Sequence, residues 1–550
     1  MTEHPHVPVL ITGGSLVGLC TALFLARRGV RCLVVEQRTG LSSHPRTRGV
    51  NPRSMELLRE AGLEEELRAL PSARALARNS GMLLATSLAG RQLGAFQEEY
   101  YREVASDLSA LSPTTWCLCH QNELEAVLRS AAARAGAGFR FGSELVGLEQ
   151  DDTGVTALLR DGAGRTAPIR ADYLVGADGP RSTVRRELGI PFGGTGQLGR
   201  FVAIHFRADL SAELGDRRFI MCYTFNSRVR GALIPLDNAS EWRLDVIVDP
   251  SVADDVAAAF PPERCLELIR AASGVDGLAA EVLGVVPWEA AAKVALRFGS
   301  GRVFLAGDAA HVMPPSGAFG SNTGVQDAHN LAWKLAAVLT GQAAPELLDS
   351  YEAERRPVCA ATVRQAVLRQ QDRPRGGDRH GRRGVPPGVV EDVTLWFGWR
   401  YPSLGLPAAA ADGPVTADGE PEVWAVDPRG LPGSRAPHVR LRRPGTGELS
   451  ALDLFGRSAV LLTGATPGRW PAAARAASRQ LGVPLTVHGI GGAGELSDPD
   501  GTWAKSYGVS EAGAVLVRPD GVVAWRSPGA RSDAEHALGT ALARLYARTV

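Results

Sequence analysis

Lysine is almost missing from this chain. Of 60 basic residues only Lys293, Lys334 and Lys505 are lysines, and with 59 acidic residues the formal net charge is +1. A polyanion such as nucleic acid is therefore not expected as a partner. The arginine bias, beside abundant alanine and glycine, reads as coding bias and not as function. No uninterrupted run of about 18 apolar residues is present, so no membrane helix is expected. The N-terminus, MTEHPHVPVLITGG, lacks the basic region, apolar stretch and cleavage site of a signal peptide. Cysteine is sparse, with seven residues at positions 20, 32, 117, 119, 222, 265 and 359. An odd, scattered set points to reduced thiols and a cytoplasmic location. Cys117-x-Cys119 beside His120 is too few ligands for a metal site, and the two thiols read as small buried side chains. No catalytic triad and no carboxylate pair is evident.

At 550 residues the chain is too long for one core, and two or three domains are expected. Residues 1–180 alternate apolar strands (VPVLITGG, RCLVVEQ, YLVGADG) with helical patterns, as in a doubly wound parallel sheet. Residues 181–295 are β-rich, with FVAIHFRADL, RGALIPL and EWRLDVIVD alternating apolar and polar positions. The α/β pattern returns over 296–370, in strand RVFLAGD and a helix around QDAHNLAWKLAAVL. A linker follows at 371–414, opened by the Pro/Gly/Arg-rich QDRPRGGDRHGRRGVPPG, which reads as a solvated loop. The last unit, 415–550, has strand SAVLLTG, helix PAAARAASRQLG, strand PLTVHGI and a hairpin AVLVRPDGVVAWRS turning at Asp520-Gly521. That order resembles a thioredoxin-like fold. No cysteine follows Cys359, which excludes dithiol chemistry there, and a structural role is expected.

The first strand runs into GGSLVGL and a helix, the setting of a dinucleotide fingerprint. Gly13 and Gly18 fill its first and third glycine positions, and Ser15 stands where the middle glycine belongs. Glu36 ends the second strand, where a carboxylate accepts from ribose hydroxyls. The bland alternative is a glycine-rich turn with a solvent-facing Glu. A second match, Gly489, Gly491 and Gly494, precedes ELSDPDG, whose helix breakers offer no helix N-terminus to a phosphate.

Two later segments separate a flavin from a nicotinamide dinucleotide. YLVGADGPRSTVRRELG holds a strand ending at Ala177-Asp178-Gly179. GRVFLAGDAAHVMPPSGAFGSNTGVQDAHNLAWKL holds a strand ending at Gly307-Asp308, a Pro/Gly loop and a long helix. An acid at such a strand end can accept from a ribityl hydroxyl. The helix near Ser321 and Asn322 can aim N–H groups at the pyrimidine edge of a flavin.

In order and spacing these motifs resemble the group A flavoprotein monooxygenases related to para-hydroxybenzoate hydroxylase. HPRTRGVNPRSMELLREAGL, WCLCHQNELEAVL and the G-D segment look closer to aromatic polyketide hydroxylases, including the anthracycline (aklavinone-type) hydroxylases. The resemblance covers nearly the whole chain. It implies a Rossmann-like FAD-binding domain, an inserted β-rich substrate domain and a C-terminal thioredoxin-like domain without working cysteines.

By that resemblance Glu36 meets the adenosine ribose, Arg46 lies beside pyrophosphate and flavin, and Gln121 touches the cofactor. Asp308 lies against the ribityl chain, Ser321 and Asn322 at the isoalloxazine, and Asp178 serves both FAD and NADPH. Leu16, Val17, Gln37, Val146, Gly307, Pro315 and Gly320 complete the cofactor set.

The implied chemistry is reduction of FAD by NADPH (or NADH), addition of O2 to form a C4a-hydroperoxide, and hydroxylation of a phenolic ring. The protein excludes water and positions the ring. Arg46 is a candidate for gating reduction, and His311 for proton relay or for simply lining the loop.

The partners implied are a polycyclic aromatic small molecule and O2, with the chain a monomer or homodimer. Met221, Tyr223, Phe225, Trp242 and Trp288 are candidate pocket walls. Ala318 and Phe319 depart from the usual G-G-x-G, and Phe319 is a candidate for the substrate face.

A flavin disulfide reductase would need a cysteine pair within 33–116, which has none, and a halogenase a W-x-W-x-I-P segment. A Baeyer–Villiger outcome and a non-catalytic flavin-holding protein stay open as rivals.

Overall fold

The computed structural model describes residues 5–44, 46, 48–96, 108–248, 256–371, 387–401, 429–445, 447–492 and 495–549. Most of the expected linker, and Gly494 of the second glycine match, lie outside them.

The strand His6–Thr12 (HVPVLIT) is buried from Val9 onward, where both its faces are covered. It pairs in parallel with Cys32–Glu36 on one side and Thr166–Gly176 on the other. Val303–Leu305 extends that sheet in parallel beyond Thr166–Gly176, so segments far apart in sequence share one layer. Helix α1 (Leu16–Ala26) is buried at nearly every position. It packs between this sheet and a long helix that begins at Phe319.

Gly18 makes that packing possible. A Cβ there would lie 1.9 Å from the Gly13 carbonyl oxygen, so backbone would have to move. Gly18→Ala is expected to cost about 1–3 kcal/mol, as overpacking does; a thermal melt matching the parent would refute this.

The second sheet is formed chiefly by Phe192–Arg207, Glu281–Ala295, Met221–Phe225, Arg230–Pro235 and Glu241–Val248. Met82–Ala85 also belongs to it, pairing in parallel with Met221–Phe225, and Gln92–Phe96 pairs with Met82–Ala85. This corrects the contiguous 1–180 unit expected from sequence. Local alternation cannot say which sheet a short strand joins.

One face of this sheet, with Ile204, Phe206, Trp242 and Leu244, packs on Cys265 and Leu268 of the helix Pro262–Ser273. The other carries Met82, Tyr223, Ala232, Ile234 and Leu236. Trp242 is thus corrected as a pocket wall. It pairs with Pro235, one position from the Ile234–Arg243 pair, and so points to the opposite face from Tyr223.

The C-terminal unit has a four-stranded sheet in the order Leu485–Gly489, Ala459–Thr463, Ala514–Val517, Val523–Ser527. The first pair is parallel, spanned by helix Trp470–Leu481, and the others are antiparallel. Its core is shared with Trp333 and Ala337 of the long helix. Among the described residues no helix begins between Gly489 and Trp503, in keeping with the discounted glycine match. No helix of the described residues is long and apolar enough to cross a membrane.

Candidate functional site

The three glycine-bearing segments meet at the carboxyl ends of the parallel strands. Gly13 has φ +100°, and a Cβ on it would sit 2.3 Å from the Ala177 carbonyl oxygen, so fingerprint and D-G motif touch. Gly307 has φ +60°, and a Cβ there would meet Val17 at 2.7 Å, which brings the G-D motif against the same turn. Glu36 closes the strand end. Its carboxylate accepts from Gly14 N at 2.8 Å and Arg38 N at 2.9 Å.

Where the middle glycine is replaced, a residue that the sequence reading missed takes part. Glu125 Oε1 accepts from Ser15 Oγ at 2.5 Å, Leu16 N at 3.0 Å and Gln121 Nε2 at 2.7 Å. Gln121 and Glu125 are one turn apart on helix α2 (Gln121–Arg134). The i, i+4 spacing in QNELE was the available signal.

Arg46 is exposed, and its guanidinium lies in the field of three carboxylates. Burial and Arg38 lower its pKa, while Glu125, Asp308 and Glu36 oppose that shift. Asp308 keeps solvent-accessible surface, yet protein encloses it enough for desolvation to push its carboxyl up, against the pull of His311 and Arg46. Gln37 and Pro315 are exposed, while Val17, Val146 and Gly320 are half-buried. Asp178 Oδ2 accepts from Val184 N at 3.1 Å, and its Oδ1 is buried without a hydrogen-bond partner among the described residues.

The long helix, α3 (Phe319–Leu339), starts after Ala318, which has φ +53°. Asn322 spends its side chain internally: Oδ1 accepts from Asn51 N at 2.9 Å, and Nδ2 donates to Gly49 O at 2.9 Å and Ala318 O at 2.6 Å. What it can offer a cofactor is main chain. A pocket beside it is lined by Leu16, Arg48, Val50, Cys119, Gln121 and Ser321. Arg48 is a second residue that the sequence reading passed over.

His311 does not face this pocket. It is fully buried, with Nε2 2.6 Å from Asp327. Asp327 also accepts from Gly307 N at 3.1 Å and Arg355 Nε at 2.8 Å. His311, Asp327 and Cys359 group three ligand atoms, but Arg355 already supplies the cation this carboxylate needs.

Met221, Tyr223 and Phe225 lie on the sheet face from which Arg243 donates to Arg46 O, while Arg48 donates to Pro235 O and Ile220 O of the same strands. Trp288 stacks on Phe201 at 4.2 Å, on the same face nearer its other end. Phe319 is only 2% exposed, packed in a cluster with Trp116, Trp396 and Trp399, so it is core and not the exposed substrate face expected from sequence.

The residues fit FAD: glycine cradles that a Cβ would fill, a carboxylate at the end of the second strand, an arginine among acids, and a helix N-terminus beside a pocket. A family described as "FAD binding domain" matches residues 6–366, and one described as "Aromatic-ring hydroxylase, C-terminal" matches 429–549. A putative polyketide hydroxylase of Streptomyces halstedii is 46% identical over 96% of this chain and 94% of its own. A 4-methyl-5-nitrocatechol 5-monooxygenase of Burkholderia sp is 43% identical over 99% and 98%. The crystal structure of aklavinone-11 hydroxylase in a ternary complex with FAD and aklavinone superposes with TM-score 0.87 and 39% identity, covering 100% of both chains. This chain belongs to the FAD-dependent aromatic-ring monooxygenases, with the aromatic polyketide hydroxylases.

Proposed function

We propose that the enzyme uses NADPH or NADH and O2 to hydroxylate a polycyclic aromatic polyketide, in antibiotic biosynthesis. The observation that carries the reading is the convergence of three glycine-bearing segments with Arg46 in the field of Glu36, Glu125 and Asp308, and with Gln121 bonded to Glu125. FAD, when bound, supplies hydride acceptance and oxygen activation.

The chain's own tasks follow from chemistry. Glu36 accepts from the adenosine ribose, and Arg46 and Gln121 hold the pyrophosphate. Asp308 accepts from a ribityl hydroxyl, and the start of α3 donates N–H groups to the pyrimidine edge. Gly13, Ser15, Leu16, Val17, Gly18, Gln37, Val146, Asp178, Gly307, Pro315, Gly320, Ser321 and Asn322 complete the cofactor surface. Met221, Tyr223 and Phe225 exclude water from the reacting ring.

The C-terminal unit is read as thioredoxin-like, supported by its parallel pair followed by an antiparallel hairpin. The division into FAD-binding, β-rich substrate, linker and C-terminal parts is likewise our reading. Seven buried, unpaired cysteines support a reducing, cytoplasmic setting.

The test is NADPH consumption by the purified enzyme with tetracyclic phenols, and mass spectrometry of the product. Gain of one oxygen on an intact ring system supports hydroxylation. Lactone or ring-opened product points to Baeyer–Villiger oxygenation, and no stimulated turnover to a flavin-holding binder. Turnover confined to single-ring catechols would overturn the polyketide class.

Glu36→Ala is expected to weaken FAD retention with the fold intact. Wild-type flavin content after purification would contradict the ribose role.

A further inference from the structure

A serine at the N-cap of a helix ordinarily turns its oxygen back to accept from the second or third N–H of that helix. Ser15 does not. It is the N-cap of α1, with extended backbone at φ −99° and ψ −171°, yet its side chain makes no capping bond. Its hydroxyl instead donates to Glu125 Oε1 at 2.5 Å, across 110 positions of sequence. The same carboxylate oxygen accepts from Leu16 N, the first N–H of α1, at 3.0 Å. A side chain from α2 has thus taken over the start of α1.

Glu125 is itself held in place. It is 2% exposed, and Gln121, one turn earlier on α2, donates from Nε2 to Glu125 Oε1 at 2.7 Å and to Ser15 Oγ at 3.2 Å. Hydroxyl, amide and carboxylate close a small buried network, which fixes the direction of the Ser15 side chain.

The consequence falls on the next two residues. Val17 N and Gly18 N are the groups that a serine cap would engage. With its hydroxyl turned to Glu125, Ser15 does not compete for them, and the positive end of α1 is left to an anion. A dinucleotide fingerprint asks for bare backbone at this position so that a diphosphate can approach. Steering a hydroxyl aside meets the same need with a side chain present.

We infer that Glu125 is a positioning residue for the FAD diphosphate, drawing the Ser15 side chain off the fingerprint turn so that serine can stand where the middle glycine belongs.

What the turn needs from Glu125 is an acceptor and not a charge, since a negative charge there opposes the diphosphate. The inference rests on the FAD reading above and is tested by fluorescence titration of apoprotein with FAD. Ser15→Ala keeps a side chain that Glu125 has no means to hold, and Ser15→Gly removes the side chain. The Ala variant is expected to bind FAD severalfold more weakly than the Gly variant. Glu125→Ala is expected to lose about tenfold in affinity, one hydrogen bond to a charged group. Adding Ser15→Gly should recover most of that loss, because no hydroxyl is left to steer. Glu125→Gln keeps an acceptor oxygen and should bind FAD severalfold more tightly than Glu125→Ala. Apoprotein melts are recorded beside each titration. A purely structural role for Glu125 would move the melts and leave Ser15→Ala and Ser15→Gly with equal Kd.

Equal affinity of those two variants would overturn the proposal, and this comparison stands even if Glu125→Ala fails to fold. Wild-type affinity in Glu125→Ala would overturn it too, as would a Gln variant as weak as the Ala variant, or a double variant no tighter than Glu125→Ala. If Glu36→Ala and Asp308→Ala keep their FAD, the reading of the site itself fails. If they lose it while the two Ser15 variants do not differ, only the present proposal falls.

Discussion

Asp308→Ala is expected to yield a purified protein with little or no FAD and an unchanged apo fold. The groups that hold this carboxyl down, His311 and Arg46, act on it by charge, and burial alone pushes it up. Its enclosure is therefore a cost to the protein without FAD, and removing it should not lower apoprotein stability. With FAD present, the same carboxylate is the acceptor proposed for a ribityl hydroxyl. A hydrogen bond to a charged group is worth about 1.5–3 kcal/mol, roughly ten- to hundredfold in Kd. Fluorescence titration of apoprotein with FAD measures this. Wild-type affinity, or a fully yellow protein from purification, would remove Asp308 from the cofactor site.

Arg518→Met should be the most destabilising single change in the C-terminal unit. Arg518 is 2% exposed and donates to two carboxylates, Glu354 at 2.6 and 2.9 Å and Asp520 at 2.9 and 2.6 Å. Lys334, fully buried, completes the group at 2.9 Å from Glu354. Trp333 Nε1 donates to Asp520 at 3.0 Å, so the network bolts the C-terminal hairpin onto α3. With methionine, two buried carboxylates would share one ammonium. Breaking a buried pair this way costs about 3–5 kcal/mol.

Denaturant unfolding of the holoenzyme measures the loss, and adding Glu354→Gln should recover part of it, because the uncompensated charge goes too. A single mutant as stable as the parent would contradict the account. Asp520 is held down to about 2, Arg518 overcoming the burial that raises it. Its stabilising contribution is present above its ordinary value of 3.8 and is lost as pH falls from there through about 2.

The segments that meet at the candidate cofactor site were legible because their signals are local. A strand, a glycine turn and a helix form one unit, and the acid ending a strand follows within the same segment. Gly13, Gly18, Glu36 and Asp308 could be placed by their own neighbours. Glu125 was not, although it lies four residues from Gln121, since its importance comes from facing Ser15 across 110 positions. Asp520 was read as a turn residue, which it is. Nothing in its neighbourhood shows that its carboxylate enters a buried network with Glu354, Trp333 and Arg518.

The amino-acid sequence by itself determined the cofactor class, the enzyme family and the absence of thiol chemistry beyond Cys359, because these depend on residue types at short fixed spacings. Tertiary structure alone decided that Trp242 packs toward a helix on the face opposite Tyr223, that Met82–Ala85 joins the second sheet, and that Arg48 donates to main chain of Pro235 and Ile220. The reason is physical. A strand's alternation defines two faces without naming their neighbours, and only the long-range pairing of strands chooses which one meets the cofactor.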